Sequence, residues 1–384
     1  MTLSLNDARF RSAVAQIAIV GGVFLLGWYL AANTFRNLEV RGIATGFDFL
    51  WREAGLPIAE TPIEFAPTDS YGRALLIGVL NTLKVAAIGI TLATILGTAI
   101  GIARLSRNWL VARVAAIYVE LFRDLPLLLQ LFFWYALLQL LPAPRNAFQP
   151  LPGTFLSSRG LVIPSLPWDG RHGVVVAALA LGLALSVVFR RHARQAQARD
   201  GRPRRLWPAS LLLLVVLPAL AWRIAGAPLT FEVPVLLGFN FRGGVWVSPE
   251  FFTLVIGLVT YTAAFIAEIV RSGILAVSQG QWEAARALGL SNVLILRKVV
   301  LPQALRVVIP PMTSQYLNLT KNSSLAVAIG YQDIVSIANT TLNQTGQAIE
   351  GIAIIMAVYL SINLSISLVM NGFDARLSRR GRRL

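Results

Sequence analysis

The sequence predicts an all-α integral membrane protein with about eight transmembrane helices, and three observations predict it. Only 14% of its 384 residues are charged and 56% are hydrophobic, whereas a soluble domain carries about 25% charged residues. The apolar residues come in long uncharged runs, such as 13–34 and 85–103, and about 20 such residues cross a hydrocarbon core about 30 Å thick. The charges gather in the connections between these runs. A net charge of +16 would suggest nucleic acid in a soluble chain, but placed this way it orients a membrane protein.

The spans are expected at 14–33, 74–103, 112–141, 173–189, 208–225, 251–275, 303–330 and 351–373. The first follows Arg9 and Arg11 as a secretory signal would, yet its apolar run exceeds the about 7–15 residues of a signal h-region; it reads as an uncleaved helix. Segment 208–225 is short and holds Pro208 and Pro218. Segment 303–330 is apolar on average but is interrupted by Pro310, Pro311 and the polar run TSQYLNLTKNSS. Non-helical backbone at membrane depth survives only where protein or a water-filled cavity surrounds it, so this segment is expected to be broken and to face the protein interior. The proline-rich connection 142–172 reads as an ordered but irregular outer loop, and 190–206 as a flexible basic linker. In Gly97 and Gly101 the spacing G-x-x-x-G predicts a close helix–helix contact. The organisation follows as 1–71 (first helix and outer loop), 72–142 (first part of a core), 143–250 (an insertion with two helices) and 251–384 (second part of the core with a basic tail).

Lys and Arg in alternate connections set orientation. One set holds twenty of them, from Arg9 and Arg11 through Arg104, Arg190 and Arg286 to Arg383; the other holds seven, from Arg36 to Arg242. Both termini are therefore expected in the cytoplasm. With no cysteine and only His172 and His192, disulfides, thiol chemistry and an ordinary zinc site are excluded. No catalytic residue and no metal site are expected. A phosphate-cradling loop needs G-x-x-x-x-G-K-[ST], and Leu83, Arg297 and Thr320 precede the lysines, so this chain does not carry the ATP site.

The segment SQGQWEAARALGLSNVLILRKVVLP, residues 278–302, has its own helical punctuation. Ser278 and Gln281 have capping-box spacing, 281–288 are good helix formers, and Gly289 suits the left-handed residue that closes a helix. Ser291 can start a second helix that Pro302 helps to end. Trp282, Ala285 and Leu288 share one face and Glu283 and Arg286 another. This makes a short amphipathic surface helix, a turn and a second helix, a rigid lever suited to a partner's groove.

Glu283-Ala284-Ala285, then Gly289, then Val299 and Leu301-Pro302 resemble the EAA loop of ABC importer permeases. Isoleucine is usual where Val299 stands. The stretches 118–135, 261–290 and 301–330 resemble the polar amino acid branch of that family, and the likeness covers about 72–142 and 251–378. Within it the chain is most similar to the larger membrane subunits of general L-amino acid transport systems, which share the extra first helix and the long insertion. Asp124 replaces a frequent Gly, and Asn322-Ser323 replace Asp-Thr. The resemblance implies a type I five-helix core plus three accessory helices in the cell inner membrane. Gln281, Trp282, Glu283, Ala284, Ala285, Arg286, Gly289, Leu301 and Pro302 would form the coupling loop that sits in an ATPase cleft. Its implied partners are a homologous second permease, two copies of an ABC ATPase, a periplasmic amino-acid-binding protein, the amino acid itself and the bilayer, but no nucleic acid. ATP would be bound by the partner subunit, and this chain would hold no cofactor.

Charged residues within spans mark a pathway or a pair, which singles out Glu268, Lys321 and Lys84. In one reading Gln130, Tyr261, Glu268, Lys321, Asn322, Ser323 and Ser324 line the amino acid's route, since a zwitterion needs donors and acceptors together. In the preferred reading Lys321 pairs with Glu268 to hold helices together. An ion-coupled transporter acting alone would need inverted repeats and midplane ion ligands, neither of which is evident; a scaffold without transport would leave the coupling loop unexplained.

Overall fold

A computed structural model describes residues 8–40, 42, 45–167, 169–201, 207–226 and 231–381. Arg41, residues 202–206 of the basic linker, and Arg382 and Arg383 of the tail lie outside the described residues. Along the chain come α1 (Ala8–Val40), α2 (Tyr71–Ala103), α3 (Trp109–Asp124) and α4 (Leu127–Gln139). Strands β1 (Phe155–Ser157) and β2 (Gly160–Ile163) precede α5 (Gly170–Asp200), α6 (Trp207–Leu211) and α7 (Leu217–Ala225). Three more strands, β3 (Val235–Leu237), β4 (Asn240–Arg242) and β5 (Val245–Val247), lead to α8 (Pro249–Leu275). The last elements are α9 (Gln279–Ala287), α10 (Asn292–Ile295), α11 (Leu301–Asn322), α12 (Ile334–Thr345) and α13 (Ala348–Gly381). The chain divides into two compact units, residues 1–136 with 250–384, and residues 137–249.

In the first unit, α1 exposes apolar side chains such as Val23, Leu26 and Trp28 on every side, as a helix surrounded by lipid does. The segment that follows is pinned at the head of α2. Phe49, Ala54 and Leu56 are buried against Tyr71, Leu75 and Ile77 of α2 and Ile334 and Ile337 of α12. Ser70 caps α2 by accepting from the Arg73 amide. Helices α2 and α8 approach through glycine, as the G-x-x-x-G spacing predicts. A Cβ on Gly97 would stand 2.7 Å from Ile266 Cβ and 2.8 Å from the Ala263 carbonyl; one on Gly101 would stand 2.7 Å from the Ala267 carbonyl.

Among the described residues six helices are long and apolar enough to cross a membrane, or seven if the pair α3–α4 counts as one span. The expected eight is not reached, and two elements account for it. The segment expected as one span at 112–141 bends by 107° between α3 and α4. Pro126 forces the residue before it out of the helical region, and Leu125 is extended at φ −88°, ψ 131°. At 303–330 the helix is not broken at Pro310 and Pro311: α11 runs through both to Asn322, and only 323–329 tighten into a 3-10 turn. Each proline removes one N–H, yet the helix stays continuous, as membrane-type helices allow. Its polar residues keep α11 below the apolarity of a simple span. The helix α12 was not foreseen.

In the second unit the connection expected to be irregular carries short strands. Strands β1, β2 and β5 form an antiparallel sheet in that order, and β3 pairs with β4. Stacked Phe155 and Phe241, 4.4 Å apart, join the two. Asp169 and His172 cap α5 in a reciprocal box, and hydrogen bonds from Arg171 hold the Asp169 carboxyl down to about 2. Arg171 also donates to the Gly226 carbonyl at 2.9 Å, tying the start of α5 to the end of α7. Residues 190–200 of the supposed flexible linker are helical, because their Arg, Gln and Ala are good helix formers.

Candidate functional site

The lever 278–302 is built much as its residues imply. Gly289 has φ +71°. Its amide bonds the Arg286 carbonyl at 2.9 Å and the Leu290 amide bonds the Ala285 carbonyl at 3.2 Å, the paired bonds of a Schellman closure. Ala285 is 3% exposed and is buried with Val277, Ile295, Val300 and Ala304, with Trp282 and Leu290 packed alongside. The two alanines thus do different work. Ala285 lets α9 lie close to the second helix, while Ala284 faces outward with Glu283, Arg286 and Leu288. Leu288 is 79% exposed, so it leaves the face it was expected to share with Ala285 and joins the free surface.

Three local expectations are corrected. Ser278 precedes α9 without a side-chain cap bond, and Gln281 instead accepts from Gln303 Nε2 at 3.2 Å, tying α9 to α11. Ser291 also makes no side-chain cap. Pro302 does not end the second helix: α10 passes through a π-turn at Leu296–Val300 into α11, and Pro302 follows that turn, where it withholds one backbone donor. The lever is therefore continuous with a core helix. At its root, a Cβ on Gly273 of α8 would meet Val308 Cγ2 of α11, so α8 and α11 pack closely there.

Glu268 does not pair with Lys321. Its carboxylate bridges Arg104, at the end of α2, and Arg271, whose Nη2 lies 2.6 Å from Oε1; Ser272 Oγ donates to it at 3.3 Å. Glu268 and Arg271 stand one helical turn apart on α8, and Arg104 joins the end of α2 to that local pair. Among the described residues no ion pair reaches Lys321, which is exposed. Gln130, 5% exposed, spends its amide N–H groups on the Phe122 and Leu125 carbonyls, both at 3.0 Å, and so satisfies the end of α3 at the Pro126 bend. Ser323 and Ser324 bond the Thr320 and Lys321 carbonyls. Tyr261 meets Phe265 in a tilted ring contact at 4.9 Å, and Asn322 is half-buried at the end of α11. Glu268→Gln should therefore lower the amount of folded protein, because it leaves two partly buried guanidiniums with a neutral partner. Lys321→Met should leave it unchanged. Quantitative immunoblotting of solubilised membranes distinguishes the two.

Residues 89–380 match the family described as the inner membrane component of binding-protein-dependent transport systems. The chain is 50% identical over 380 residues to the putative amino-acid ABC transporter permease protein YhdX of Escherichia coli K12, covering 98% of this chain and 96% of that one. It is 48% identical to the general L-amino acid transport system permease protein AapQ of Rhizobium johnstonii, covering 98% and 94%. It is 40% identical to the glutamate/glutamine/aspartate/asparagine transport system permease protein BztB of Rhodobacter capsulatus, covering 100% and 97%. With the family matched over most of its length and the apolar helices in place, this chain is a member of the binding-protein-dependent inner membrane component family, a multi-pass permease subunit of an ABC transporter and not an enzyme.

Proposed function

We propose that this permease imports L-amino acids from the periplasm into the cytoplasm, driven by ATP that a separate subunit binds and hydrolyses. The single observation that carries the coupling is α9, a short helix with an exposed Glu283–Arg286–Leu288 surface, stopped by Gly289 and packed rigidly on α11. A motor that shifts α9 shifts α8 and α11 with it. The amino-acid cargo is supported by the names of the full-length relatives. A homologous second permease and two ATPase copies complete the assembly, with a binding protein delivering substrate from outside. Both termini lie in the cytoplasm. The twenty-to-seven division of basic residues supports this, as does counting α3–α4 and the more polar α11 as one crossing each beside the six apolar helices.

The test is uptake of a panel of labelled L-amino acids into proteoliposomes holding the permease pair and ATPase, with binding protein outside and ATP inside. Accumulation should need both ATP and binding protein and should survive ionophores. Uptake that runs on a sodium or proton gradient without ATP would show an ion-coupled carrier instead.

A further inference from the structure

The outer segment before α2 is strapped to the core by polar contacts. The Ala59 amide donates to Gln332 Oε1 at 2.6 Å, and Gln332 Nε2 donates to the Pro57 carbonyl at 2.9 Å. Asn81 Nδ2 of α2 donates to the carbonyls of Glu60 and Gln332, at 3.0 and 2.9 Å. Within this setting two opposite charges meet. Lys84 Nζ lies 2.8 Å from Glu60 Oε2 and 4.1 Å from the centre of the Phe251 ring, and Phe251 lies 5.7 Å from the ring of Tyr331.

Two buried polar atoms here have no hydrogen-bond partner among the described residues, the Tyr331 hydroxyl and Asn81 Oδ1, although Tyr331 is 2% exposed and Asn81 0%. Orphaned buried groups cost stability and call for a reason. Burial, with the carboxylates of Glu60 and Asp333 nearby, pushes the Tyr331 phenol well up, so it remains a proton donor. Lys84 keeps 39% of its side chain accessible against 11% for Glu60. Lys84 and Arg104 are twenty residues apart on α2, roughly 30 Å along a helix, which is the thickness of the hydrocarbon core. With Arg104 at the cytoplasmic boundary, Lys84 marks the outer mouth.

We propose that Glu60, Lys84 and Tyr331 form an entry site for the zwitterionic head of the amino acid. The substrate carboxylate takes Lys84 from Glu60, its ammonium takes the freed Glu60 carboxylate, and the Tyr331 hydroxyl supplies a further hydrogen bond. The exchange turns one ion pair into two without burying net charge. A plain amine would leave the Lys84 charge without a carboxylate, and an unpaired desolvated charge is strongly unfavourable. This site rests on the amino-acid importer reading.

The decisive variant is Tyr331→Phe. If the cluster only straps the loop, losing an unpartnered hydroxyl is harmless. As an entry site it needs that hydroxyl. With the labelled amino acid that the wild type transports fastest, Tyr331→Phe should keep wild-type abundance and melting temperature while uptake falls by about threefold or more, and Lys84→Gln should lose roughly tenfold. The exchange Glu60→Lys with Lys84→Glu should restore the pair and the abundance but not the uptake. Wild-type uptake in Tyr331→Phe, or recovery of uptake in the exchanged protein, would overturn the entry site while leaving the importer intact. Absence of ATP-driven amino-acid uptake in the wild type would overturn the importer reading and the entry site together.

Discussion

Gly289→Val is expected to leave the protein in the membrane at near-normal abundance and to abolish uptake. Gly289 has φ +71°, and a β-branched residue in the left-handed region is strained by about 1–3 kcal/mol. The strain is relieved locally. The described contacts of α9 run through Ala285, Trp282 and Leu290 against Val277, Ile295, Val300 and Ala304, and a residue 289 that leaves the left-handed region changes the angle at which α9 meets them. That misplaces Glu283, Arg286 and Leu288 together, and an interface whose central contacts are misaligned loses most of its binding. Glu283→Arg should give the same outcome by reversing an exposed charge. Both are read by amino-acid uptake beside co-purification of the ATPase, with transport lost and the ATPase weakened or uncoupled.

Gly97→Leu should have the largest effect on the fold. A first side-chain carbon at Gly97 would already overlap Ile266 Cβ and the Ala263 carbonyl, before the rest of the leucine is placed. Overpacking typically costs about 1–3 kcal/mol, and here a backbone oxygen cannot rotate aside as a side chain can. Separation of α2 from α8 would also pull Arg104 from Glu268, so the two losses should not simply add. The expected result is a several-fold fall in folded protein and a lower melting temperature in detergent. Gly280→Leu, at a site with no atom within 4 Å, should be tolerated.

What the sequence made legible follows from how local each signal is. Gly289 was readable because a helix stop needs only the residues around it, and Gly97 and Gly101 because their spacing lies on one helix. Pro126 was equally local, yet a high average hydropathy across 112–141 hid a dipeptide that bends the chain. Pro310 and Pro311 were over-read in the opposite sense, since proline weakens a packed membrane helix without always breaking it. Pairing was the least legible property. Glu268 and Lys321 looked like partners because both are ionisable in apolar surroundings, but Arg104 lies at the end of the helix that Gly97 and Gly101 bring against Glu268. Gln130 looked like a substrate ligand because buried amides are rare in spans; its N–H groups are consumed by carbonyls that the Pro126 bend exposed.

Coupling requires that α9 be the surface that meets the ATPase. Because the chain contains no cysteine, Leu288→Cys provides its sole thiol, on an exposed residue of that surface. A short thiol-directed photo-crosslinker attached there should join the permease to the ATPase subunit in inverted membrane vesicles, whereas the same probe at Trp51→Cys, exposed on the outer segment before α2, should not. Capture of the ATPase from position 51, or no capture from position 288 in vesicles that still transport, would contradict it.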